Sequence, residues 1–339
     1  MASMDQVTAP RRTVLATATG LFTRGSNQFG LFVILLVMWV VFSSLAPGFL
    51  SRFSLNSLGR SVAIDVVVGF AQMVVLATGG MNLSVGAIGV CAVMTSGYLL
   101  QVLGLPIPVA LPLVLALGGG LGWLNGFAIT RTGVNSFVVT LATASLFTGT
   151  MLIFSHGVPL NGLPPELGAF AKAGAGRLPA LAVVALLIGA ALYVLFRHSV
   201  LGRQILAVGA SARAAEMSGV PVDRIIVFTH VLSGVLAAAA AIMLTAKNAA
   251  ALPAAAGDDW LLPSFLAPVI GGTALAGGMV SVIGTILGAL LVATIRSGLL
   301  VLQIGNFWLQ LFLGIFLLAA ILIERYRSVL AAREQTRNA

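Results

Sequence analysis

Ten apolar runs, each close to the length that crosses a bilayer, follow one another through this chain with few charges between them. They lie near residues 30–47, 62–79, 85–103, 108–130, 135–154, 178–196, 225–246, 261–277, 279–299 and 305–323. A helix needs about 20 mainly apolar residues to span the hydrocarbon core. Only 8% of the 339 residues are charged, against about 25% in a soluble globular domain. Such a chain cannot cover a soluble surface. The expected fold class is an all-α polytopic integral membrane protein with about ten transmembrane helices.

Two glycine-bracketed stretches interrupt this pattern. The first is Gly79-Gly80-Met81-Asn82-Leu83-Ser84-Val85-Gly86, and the second is Gly271-Gly272-Thr273-Ala274-Leu275-Ala276-Gly277-Gly278. Both fit G-G-x-x-L-[SA]-x-G. Irregular backbone at membrane depth survives only where protein or a water-filled path surrounds it, and broken helices often flank a transport route. Broken or re-entrant segments are therefore expected at Gly79, Gly80, Gly86, Gly271, Gly272, Gly277 and Gly278. Small residues also let membrane helices approach closely, so a packing role stays open for both stretches. Gly118-Gly119-Gly120 with Gly122, and Gly284 with Gly288, read as packing seams.

The net charge of +9 comes from basic residues scattered between apolar spans. That distribution excludes a nucleic-acid-binding face and suits the positive-inside bias. With the N-terminus inside and ten crossings, 12 of the 18 basic residues fall inside and 6 fall outside. The C-terminus is then inside as well. Residues 1–28 hold Arg11, Arg12 and Arg24 without an apolar core, so they read as a cytoplasmic tail rather than a cleavable signal peptide. The membrane domain covers 29–325, and a second cytoplasmic tail covers 326–339. Residues 155–177 form an expected irregular outer cap. The longest inner loop, 197–224, carries a run of helix formers from Ala212 to Met217. Ser211 is placed to cap it, and Gly219 with Pro221 is placed to stop it. A short helix at the membrane surface is expected there, a solvated connector being the alternative.

Several chemistries are absent. Lys172 and Lys247 are the two lysines, and neither completes a G-x-x-x-x-G-K-[ST] phosphate loop. No His/Cys cluster has metal-ligand spacing, and no G-x-S-x-G elbow occurs. No catalytic residue, metal or cofactor is assigned to the chain. Cys91, the single cysteine, reads as a small buried hydrophobe. Asp65 is the one clear acidic residue within a span, near the outer boundary, where Arg60 is close enough in sequence to pair with it. It shares a helix face with Gln72. Uncharged polar residues are better represented: Asn82, Ser84, Asn125, Asn135, Ser136 and Thr140. Each can be interhelical glue, worth about 0.6 kcal/mol on average, or a partner for a passing solute. As a set they favour a hydrophilic, uncharged solute over an ion.

Four ordered stretches carry a family resemblance. They are Gly79 to Gly86; Asn125-Gly126 followed by Ser136 to Leu141; Gly202, Arg203, Ala207, Gly209, Ala214, Ala215, Ser218, Gly219 and Val220; and Ile270 to Gly278. Across residues 30–325 the chain resembles the permease subunits of bacterial ATP-binding-cassette importers for ribose, xylose and related sugars, together with the autoinducer-2 permeases. It departs from that pattern at Asn82, where the family usually has Asp, and at Met279-Val280, Ser297-Gly298, Pro263 and Pro268.

The resemblance implies a location in the bacterial inner membrane and a second permease subunit, as a homodimer or heterodimer. It also implies a cytoplasmic ATPase that binds ATP and Mg, and a periplasmic substrate-binding protein that delivers a small polar solute. It places Phe137 and Thr273 with the polar residues above along the translocation pathway. Gly209, Arg213, Ala214, Ala215, Glu216 and Gly219 become the expected ATPase-coupling residues. Two rivals are an ion-coupled carrier, which would rest on Asp65, and a passive facilitator.

Overall fold

Residues 12–46, 48–175, 178–253, 256–303, 308, 310–315 and 318 are described by the computed structural model of the chain. Helix α1 runs Arg12–Leu45 and therefore begins inside the segment read as a tail. It is followed by α2 (Arg52–Leu76), α3 (Val85–Gly97, prolonged by a π-turn over Tyr98–Val102), α4 (Ile107–Thr132) and α5 (Ser136–Ser155). Next come α6 (Pro165–Lys172), α7 (Ala180–His198), α8 (Val200–Ala210) and α9 (Ala212–Met217). The chain continues through α10 (Val222–Asn248), α11 (Asp258–Ile270) and α12 (Val282–Val301).

Among the described residues, 8 helices are long and apolar enough to cross a membrane. The span expected over 261–277 is α11, which has only 13 residues, or about 20 Å. Two prolines inside it, Pro263 and Pro268, withdraw backbone donors, and helical geometry ends at Ile270. The span expected over 305–323 and the C-terminal tail lie largely outside the described residues.

Short polar side chains set the helix starts. Ser51, Ser199, Ser211 and Ser281 each accept a hydrogen bond from the backbone N–H three residues on, which satisfies one of the donors a helix leaves free at its start. Asn135 caps α5 by accepting from Phe137 N at 2.8 Å. Gly133 ends α4 in a left-handed conformation.

The core is built from α2, α3, α10 and α12, which are buried over most of their length, whereas α1 and α5 are largely exposed. Missing side chains decide the closest helix contacts. Gly118, Gly122 and Gly126 lie four apart on one face of α4. A Cβ at each would collide with the α10 backbone at Gly234, His230 and Val227 respectively. Gly284 and Gly288 likewise bring α12 onto the α11 backbone at Gly271 and Ala267. Gly118, Gly122, Gly284 and Gly288 are thus in the seams the sequence pointed to, whereas a Cβ at Gly120, expected there too, would meet nothing within 4 Å.

Helices α8 and α9 mark one end of the bundle. At the far end, β1 (Leu160–Asn161) pairs antiparallel with β4 (Ala250–Ala251), and β2 (Gly174–Ala175) with β3 (Leu178–Pro179). Together with α6, these ladders give the expected irregular cap more regular structure than its proline-rich sequence indicated.

Candidate functional site

The two glycine stretches meet. The first forms most of the connection between α2 and α3, and turns at Gly79 with φ of +77°. The second follows α11 and turns at Gly272, Gly277 and Gly278, all with positive φ, a region open to glycine but strained for other residues. Gly278 N donates to Ala77 O at 3.0 Å, which ties the two loops together. Gly209 of α8 packs against that same pair of atoms. A Cβ built on Gly277 would stand 2.6 Å from Gly79 N and 2.9 Å from Gly209 O. Three segments far apart in sequence thus touch backbone to backbone at one joint. Gly86 and Gly271 serve differently: Gly86 lies in the first turn of α3 against the Gly257 carbonyl, and Gly271 ends α11 against Gly284.

The first loop is held by side chains from four helices. Gln72, with its amide oriented to match its neighbours, donates Nε2 to Asn82 O (2.8 Å) and accepts from Asn82 N (3.2 Å). Asn82 Nδ2 donates to Ser233 Oγ at 2.9 Å. Its Oδ1 accepts from Ser84 N (3.0 Å) and Ser84 Oγ (2.7 Å). Asn125 Nδ2 donates to Ser84 Oγ at 2.7 Å, and Thr143 Oγ1 donates to Asn125 Oδ1 at 2.6 Å. Met81 N and Leu83 N donate to Ser136 Oγ and Thr140 Oγ1. Asn82, Ser84, Asn125 and Thr140 are fully buried. The network supplies the non-helical backbone with partners that hydrocarbon cannot offer. Thr143 and Ser233 are members that the sequence reading did not assign, because each is recognisable only by what folds against it; Gln72 was singled out there only for sharing a helix face with Asp65.

The other expected pathway residues divide into two groups. Asn135, Ser136 and Phe137 line a cavity of about 650 Å³, together with Gly79, Gly80 and His230. Thr273 is buried in the second loop, where its Oγ1 accepts from Ser281 N at 3.2 Å.

Helix α9 forms where helix formers follow Ser211. It ends in a paired turn: Gly219 N donates to Glu216 O (2.9 Å), Val220 N donates to Ala215 O (3.0 Å), and Gly219 has φ of +80°. Arg213, Ala214, Glu216 and Met217 are exposed, Met217 to 84%. Ala215 points inward and is buried. A large residue at Ala215 would disturb the fold itself, and the exposed Met217 belongs to the free face instead.

At the far end, Asp65 pairs with Arg296 rather than with the expected Arg60; Arg296 Nη1 lies 3.6 Å from Asp65 Oδ1. The partner comes from α12, and nothing local in the sequence predicts it.

A bundle of membrane-crossing helices with two glycine loops jointed to α8 and a short capped helix exposed at the same end has the build of a transport subunit. The chain belongs to the family described as branched-chain amino acid transport system / permease component, whose model matches residues 54–321. It is a transmembrane permease subunit of an ATP-binding-cassette importer. The ribose import permease protein RbsC of Bacillus subtilis is 34% identical over 306 residues, covering 89% of this chain and 94% of that protein. The D-allose transport system permease protein AlsC of Escherichia coli is 29% identical over 300 residues, covering 88% and 92%. The autoinducer 2 import system permease protein LsrD of Salmonella paratyphi B is 32% identical over 285 residues, covering 80% and 85%. No solved structure matches the chain.

Proposed function

We propose that this permease forms the membrane pathway for uptake of a monosaccharide or a similarly small, uncharged, polyhydroxylated solute, driven by a separate ATPase. The observation that carries the reading is the joint at Gly209. Helix α9 is exposed at one end of the bundle, and α8 connects it to a backbone contact with both glycine loops. A push on α9 therefore reaches the loop held by the Asn82 network and the cavity lined by Asn135, Ser136 and Phe137. ATP and Mg are bound by the partner ATPase, in keeping with the lack of a phosphate-loop motif in this sequence. Arg213, Ala214, Glu216 and Met217 form the ATPase-docking face. Gly209 and Gly219 act behind it, one as joint and one as cap.

Two permease copies, or this chain and a related one, enclose the pathway in the bacterial inner membrane. The α9 end and both termini face the cytoplasm, and a periplasmic binding protein delivers solute at the far end. The conformational energy enters as a shift between two packings of the bundle. Support for the sugar class comes from the names of the relatives and from Asn135 and Ser136, the members of the uncharged polar set that line the cavity. The test is reconstitution of the permease with the ATPase that co-purifies with it. ATP-dependent accumulation of D-ribose or D-allose in vesicles is expected. Equilibration of the sugar without ATP would overturn the reading.

A further inference from the structure

A chamber of about 310 Å³ lies at the far end of the bundle between α2, α10, α11 and α12. Its volume is at the lower end of the range for small-ligand sites. Asp65 stands in its wall and is only 4% exposed. Asp65 Oδ1 faces Arg296, but Oδ2 has no hydrogen-bond partner among the described residues. Opposite it, Lys247 Nζ donates to Ser61 Oγ at 2.8 Å. An ammonium has three donors and a guanidinium five, so Lys247 and Arg296 both keep donors to spare.

We propose that this chamber binds a small neutral polyol. Asp65 and Asp259 balance Lys247 and Arg296 along its wall, so the chamber favours neither an anion nor a cation. Each hydroxyl of a polyol both donates and accepts, which matches a wall holding the spare donors of Lys247 and Arg296 and the carboxylate of Asp259. Trp260 gives the chamber an apolar side for the C–H face of such a ligand. Its indole is fixed by close packing: a Cβ at Gly89 of α3 would stand 2.6 Å from Trp260 Cζ3. Identifying the polyol with the transported solute, held at the outer mouth, rests on the importer reading above; the chamber's chemistry does not.

The test titrates the purified permease with D-ribose and D-allose, following tryptophan fluorescence, with inorganic phosphate as a charged control. A saturable change with a sugar and none with phosphate is expected, and Trp260→Phe should remove it. Asp65→Asn should weaken binding at least tenfold. Ser61→Ala, which frees Lys247 from its anchor, should weaken it several-fold and carries the test if Asp65→Asn fails to fold. No saturable change, equal binding of phosphate, or wild-type affinity in both variants would overturn the proposal. ATP-driven uptake by the assembled importer is measured separately. Its absence would defeat the importer reading and leave the titration result standing.

Discussion

Replacing Gly209 by alanine is expected to pry α8 away from the two glycine loops. The added Cβ would collide with Ala77 O and Gly278 N. Both are backbone atoms, so no side chain can swing aside. An extra carbon forced into a packed contact costs about 1–3 kcal/mol. The Gly278–Ala77 hydrogen bond passes through the same point, and a buried polar pair left unmade costs about 1–3 kcal/mol. Alanine's helix preference over glycine offsets about 1 kcal/mol of this. The expected net loss is about 3 kcal/mol, or roughly a hundredfold in the folding equilibrium.

Cys91 makes the measurement direct, since it is the only cysteine and is buried. A thiol-reactive fluorophore added to detergent-solubilised protein during heating should report earlier unfolding for Gly209→Ala. Gly120→Ala is the control, because a Cβ there meets nothing within 4 Å; it should unfold no earlier than the wild type. A Gly209→Ala protein that unfolds with or after the wild type would refute the steric argument and with it the joint.

Three further outcomes follow from the same geometry. Asn82→Asp should fold, because Ser233 can turn its hydroxyl from acceptor to donor and Ser84 already donates twice; combined with Ser233→Ala it should melt measurably lower than either single variant. Met217→Asp should leave the melting curve unchanged, since the side chain is 84% exposed, yet reduce ATPase co-purification at least tenfold; unchanged capture would remove Met217 from the docking face. Gly219→Ala should cost about 1–2 kcal/mol, the penalty for a Cβ in the left-handed region, read as a lower melting temperature with the same α9 surface exposed.

Much of the fold was legible in the sequence because membrane burial writes itself into length and polarity. Runs of about 20 apolar residues have few other uses, and the boundaries of α4, α5, α7 and α10 fall within a few residues of the expected spans. Helix α9 was legible for a local reason: Ser211 and Gly219 act on their own neighbours. The family followed from motif order across most of the chain.

What the tertiary structure alone decided is where those pieces meet. The shortness of α11 needed its prolines to be weighed against surrounding helices. The inward aim of Ala215, the pairing of Asp65 with Arg296, and the hold of Gln72, Ser233 and Thr143 on the first glycine loop are contacts between residues distant in sequence. A glycine in a sequence announces a missing side chain but not what fills the space. Only the packed structure shows that Gly79 gives its space to the Ala276 carbonyl, Gly209 to Ala77 O and Gly278 N, and Gly277 to Gly79 N and Gly209 O, because close approach is a property of the pair and not of either residue.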